Sequence, residues 1–90
     1  MSEINNDDVQ QAEHAVQVAA LREQAVQAQR DWYAAEAAWV AAPDDRAAYE
    51  AFSAAGLRLH AHAYWAAAGG NRFELQKSVR EDARKLAEQS

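Results

Sequence analysis

Trp32-Tyr33-Ala34-Ala35-Glu36-Ala37-Ala38-Trp39-Val40-Ala41-Ala42-Pro43-Asp44-Asp45-Arg46-Ala47-Ala48-Tyr49-Glu50-Ala51-Phe52 is the stretch that decides the fold. At its centre stands the only proline of the chain. Upstream, Val18, Leu21, Ala25, Ala28, Trp32, Ala35, Trp39 and Ala42 step by alternating threes and fours. Downstream, Tyr49, Phe52, Gly56, Leu59, Ala63 and Ala66 keep the same rhythm. That spacing places each set on one face of a helix, which is the seam of two helices packed side by side. Proline is at home in a first helical turn, and either following aspartate can cap it. The reading is an antiparallel hairpin bent at Pro43.

Working outward, helix one is expected over about 7–42, capped by Asn5, Asn6 or Asp7. Asp7 and Asp8 suit the positive end of its dipole. Some 35 residues make a rod of about 50 Å. It carries a second apolar row of Ala12, Ala19, Val26, Tyr33 and Val40 at seven-residue intervals, extended upstream by Val9 and Val16. Two rows require two neighbours: helix two for the first, a third helix or a second subunit for the other. Helix two is expected over about 44–68, ending at Gly69-Gly70. Its roughly 24 residues, about 36 Å, reach back along helix one to Val18. Asn71 with Glu74 three residues on resembles a capping box for a third helix over about 72–88. Its stripe is thin (Leu75, Val79, Ala83, Leu86), and it is expected to cover the N-terminal part of helix one. The fold class is therefore all-α: one domain over 1–90, a long antiparallel helical hairpin plus a shorter third helix, together a small helical bundle.

Half the residues are hydrophobic, yet about a quarter of the chain is alanine, which buries little area. At roughly 5–13 kcal/mol for this length, such a core belongs at the low end. Self-association is the usual remedy, so a homodimer or higher oligomer is expected. The net charge is −5. Residues 1–42 hold seven acids against two bases, whereas residues 71–90 hold five bases against four acids. An acidic chain without a concentrated basic face argues against direct nucleic-acid binding. There is no cysteine, so disulfides and thiolate metal sites are excluded. The first residues lack the basic and apolar regions of a signal peptide, and no apolar run is long enough to span a membrane; a cytoplasmic protein is expected.

No catalytic constellation appears, and an enzyme is not expected. Ser53 and His60 lie two turns apart with no converging carboxylate. His60 and His62 diverge by roughly 200° on a continuous helix, against the three- or four-residue spacing of helical zinc pairs, so neither metal nor cofactor is expected. Gly69-Gly70 follows no strand and precedes no Gly-Lys-Ser/Thr, which excludes a phosphate loop. The rings beside the turn (Trp32, Trp39, Tyr49, Phe52) are assigned to the core. Two helices cannot enclose every ring, so Tyr33, Tyr64 and Trp65 are expected outside. Tyrosine, tryptophan and arginine are the usual anchors of protein interfaces. Arg58, His62 and Trp65 follow at intervals of four and three. Tyr33, Arg58, His62, Tyr64 and Trp65 are accordingly the candidate protein-binding residues.

Ala37-Ala38-Trp39 before the turn and Tyr49 after it resemble the hairpin of the small secreted WXG-type proteins, which are acidic, of similar length and dimeric. The resemblance covers residues 37–49. Ala41 stands where that motif has glycine, Pro43 lies in the Trp-to-Tyr interval, and the C-terminal region has no Tyr-x-x-x-acid signal. Three functions are therefore open. The first expectation is a non-enzymatic module that self-associates and occupies a surface of another protein. By class analogy only, it would be a phage or mobile-element inhibitor of host machinery of the anti-CRISPR kind. The second is a WXG-like secreted or scaffolding dimer, and the third an oligomer that binds a small ligand such as a nucleotide signal.

Overall fold

Alanine-rich sequence without glycine or proline favours an uninterrupted helix, and α1 (Asn6–Ala41) is one. The computed structural model describes residues 6–89; of the expected α1 caps, Asn5 lies outside them. Pro43 disfavours helical geometry in the residue before it, and α1 stops at Ala41. The Asp45 N–H donates to the Ala42 carbonyl at 3.0 Å, closing the turn. Asp45 rather than Asp44 then caps α2 (Arg46–His60), its Oδ1 accepting from the N–H groups of Ala47 and Ala48 at 3.0 and 3.4 Å.

The hairpin forms as read. Trp39 meets Tyr49 edge-on with centroids 5.7 Å apart, and its plane lies 21° from that of Phe52 at 5.0 Å. Trp32 contacts Phe52 at 5.5 Å. A Cβ placed on Gly56 would sit 3.4 Å from Trp32 Nε1, so the indole lies directly over that glycine.

Helix two is not one helix through residue 68. It ends at His60, and a separate turn, α3 (Ala63–Ala68), follows. His62 is extended (φ −61°, ψ 137°), and its Nδ1 accepts from the Tyr64 N–H at 3.1 Å, an N-cap made by an imidazole. The Leu59 carbonyl, freed by the break, accepts from the His62 N–H at 3.3 Å and from the Trp65 indole N–H at 2.7 Å. Burial of two large rings against other helices outweighs the few backbone bonds that a continuous helix would add.

Gly69 and Gly70 both have positive φ (68° and 79°). With ψ at −177°, Gly69 occupies a region essentially reserved for glycine. Asn71 Oδ1 then accepts from the N–H groups of Phe73 and Glu74 at 2.9 and 3.3 Å, opening α4 (Arg72–Gln89).

Helix α4 packs on α1, at its middle rather than its N-terminal part. Arg22 donates to Ser78 Oγ at 2.8 Å and pairs with Asp82 at 2.7 Å. Ala25 and Val26 of α1 share a buried cluster with Tyr64, Trp65, Val79 and Ala83. Three elements converge there, so that is where side chains lose their water. The molecule measures 67 × 26 × 20 Å with a radius of gyration of 17.1 Å, against about 12 Å for a compact domain of this length. The excess comes from α1, whose residues 6–17 run past every other element and are all exposed.

Candidate functional site

The aromatic side chains exchange the places the sequence assigned to them. Tyr64 and Trp65, expected on the surface, are 5% and 7% exposed and belong to the core. Tyr49, expected in the core, is exposed, and Trp32, Trp39 and Phe52 are half-buried. The cause is the break at Ala61–His62, which turns α3 inward toward α1 and α4. Only two helices meet near Pro43, and two helices leave one side of every ring wet.

Of the five candidate binding residues, Arg58 alone is openly exposed. His62 is occupied as a cap. Tyr33 is half-buried, and its hydroxyl is the one buried side-chain polar atom without a hydrogen-bond partner among the described residues. Tyr64 and Trp65 are therefore corrected from surface anchors to structural rings. Arg58, His62 and Trp65 form no common outer face, because the intervals of four and three presuppose a continuous helix that stops at His60.

The surface that remains open lies elsewhere. In the second row of α1, Val26 is buried and Tyr33 half-buried by α4, while both ends stay bare: Val16 is 70% and Val40 69% exposed, with Val9 also exposed. A row spanning residues 9–40 is about 46 Å long, whereas the 18 residues of α4 span about 27 Å. Val9, Ala12 and Val16 line a shallow groove with Glu13 and Gln17. This overhang also carries Asp7 and Asp8. Helix α4 carries Lys77, Arg84 and Lys85, with Phe73 and Leu86 exposed among them. The open row was legible in the sequence as a repeat longer than its cover; which part α4 would leave bare was not.

A second feature joins all four helices. Arg72 donates to the His60 carbonyl, stands 3.4 Å from His60 Nδ1 and lies over the Trp65 ring with its Cζ 5.8 Å from the centroid. Beside it, a cavity of about 280 Å³ opens between Trp32 and Trp65, with His60, Gln76 and Arg80 on its wall. His60 Nδ1 faces Arg72 and His62 Nδ1 caps α3, and no group of three His, Asp or Glu side chains converges among the described residues. No helix among those residues is long and apolar enough to cross a membrane.

Compared with known proteins, the chain matches no family model, no curated protein and no solved structure. The WXG-type likeness thus rests on residues 37–49 alone.

Proposed function

We propose that this chain is a non-enzymatic protein-binding module that associates with a second copy of itself and acts by occupying a partner's surface. The observation that carries the reading is the apolar row of α1 that outruns its cover. A seven-residue repeat of valine and alanine is a coiled-coil seam, and exposed Val9 and Val16 cost solvation free energy that a contact recovers. Charge favours a second copy as the occupant: the overhang holds Asp8 and Glu13 with no lysine or arginine, and α4 holds five bases against four acids, of which Asp82 is already paired with Arg22. The overhang of one copy laid on α4 of another pairs these fields and covers Phe73 and Leu86. Arg58 and Leu57, both exposed on α2, remain for a partner protein, on which the assembly acts by steric blocking as an inhibitor of its machinery.

Sedimentation velocity on the wild type and on Val16→Glu tests the association. The wild type should sediment as a defined oligomer that weakens with added salt, as screened charge pairing requires. Val16→Glu should sediment as a monomer with unchanged helical circular dichroism. A wild type that stays monomeric at high micromolar concentration, or a Val16→Glu oligomer of undiminished affinity, overturns the reading.

A further inference from the structure

The cavity between the four helices differs in chemistry from the rest of the molecule. The chain is acidic overall, with a net charge of −5, yet no carboxylate lines this cavity. Arg80 borders it, donating through Nε to the Gln76 carbonyl of its own helix at 3.3 Å. It pairs with no acid among the described residues, where the ion pairs are Arg22–Asp82 and Arg46–Glu50. The indoles of Trp32 and Trp65 provide two polarizable walls, and Gly56, with the Trp32 indole packed over it, forms part of the lining.

Gln29 adds an independent sign. It is 5% exposed on α1 and lines the cavity, and its amide makes no side-chain hydrogen bond among the described residues while keeping access to solvent, since the Tyr33 hydroxyl is the one fully buried polar atom there without a partner. An amide in a cavity with two aromatic walls and an unpaired guanidinium is the usual composition of a ligand site: mostly apolar, with a few convergent polar groups. Aromatic faces accept planar rings, amides read their edges, and arginine matches the geometry of phosphate oxygens.

We propose that this cavity binds a mononucleotide-sized ligand, an aromatic base bearing one phosphate. The base lies against the indole walls within reach of the Gln29 and Gln76 amides, and the phosphate meets Arg80. At about 280 Å³, the space lies just under the usual range of small-molecule pockets, which suits a ligand of mononucleotide size. None of its residues belongs to the α1 overhang, but Arg80 also borders the α4 surface of Phe73, Lys77 and Arg84 on which that overhang is proposed to lie, so the titrations are run on Val16→Glu as well as on the wild type.

Intrinsic tryptophan fluorescence and isothermal titration of the full-length protein with AMP, GMP and UMP test it, with adenosine and inorganic phosphate as partial ligands. At least one mononucleotide should quench the fluorescence saturably and raise the melting temperature, as linkage requires. Adenosine and phosphate alone should bind at least tenfold more weakly. Arg80→Gln should lose about tenfold in affinity, equivalent to about 1.4 kcal/mol, with the melting temperature of the free protein unchanged. Gln29→Leu, which removes the polar edge at similar volume, should lose affinity as well. The proposal is overturned by absence of saturable binding of all three nucleotides at millimolar concentration. Adenosine or phosphate binding as tightly as the nucleotide overturns it too, as does undiminished affinity in Arg80→Gln.

Discussion

Two stretches of the same helix, residues 6–17 and residues 18–41, share an apolar periodicity but have opposite fates. In the second, Ala25, Val26 and Gln29 are buried beneath α3 and α4, and Trp32 and Trp39 lie along α2. In the first, every residue is exposed. Both lack glycine and proline and both are helical, although the first has two alanines and no aromatic residue while the second has nine alanines and three aromatic residues. The difference is tertiary: helicity persists in the overhang by propagation from a packed segment, while the apolar row continues without anything to bury it. One stretch is committed to the fold, and the other is left exposed.

Substitutions can break that contrast. The largest loss of stability is expected from Trp65→Ala, which removes a buried indole, the bond to the Leu59 carbonyl and the seat of Arg72. Large-to-small core changes of this type cost about 3–5 kcal/mol, and urea unfolding should register a midpoint shift of that size. Gly69→Ala should cost about 1–3 kcal/mol by forcing a side chain onto φ 68°, ψ −177°. A smaller shift would mean that the loop relaxes. His62→Ala should cost about 1 kcal/mol, the worth of a helix cap, and His62→Asn should restore most of it. Equal losses in both variants would show that the imidazole acts by packing instead. On the other side of the contrast, Val16→Glu should change stability by no more than about 0.5 kcal/mol when both proteins are compared at concentrations dilute enough to be monomeric. A larger effect would place the overhang within the fold.

The architecture was readable because helix periodicity over long stretches is a strong signal. The bend at Pro43, the stop at Gly69-Gly70 and the Asn71 cap each have a local cause, and each stands where the sequence puts it. The break at Ala61–His62 has no such cause. Histidine is not among the preferred caps, and residues 57–68 contain neither glycine nor proline. What interrupts the helix is the destination of Tyr64 and Trp65, a fact about α1 and α4 rather than about the sequence around His62. The same event displaced the expected binding face, since its spacing assumed continuity. The cavity was out of reach for a related reason. Gln29, His60, Gln76 and Arg80 come from three helices, and one-dimensional spacing carries no trace of their meeting.

The two glycines between α3 and α4 have a consequence for how the chain can be taken apart. A Cβ at either would meet nothing within 4 Å, so the link lies in open solvent and no packing passes through it. Helix α4 is held by Val79, Ala83 and the Arg22–Asp82 pair, all of them non-covalent. A chain severed between Gly69 and Gly70 should therefore be repaired by a free α4 peptide, which makes this small protein a natural two-piece complementation system.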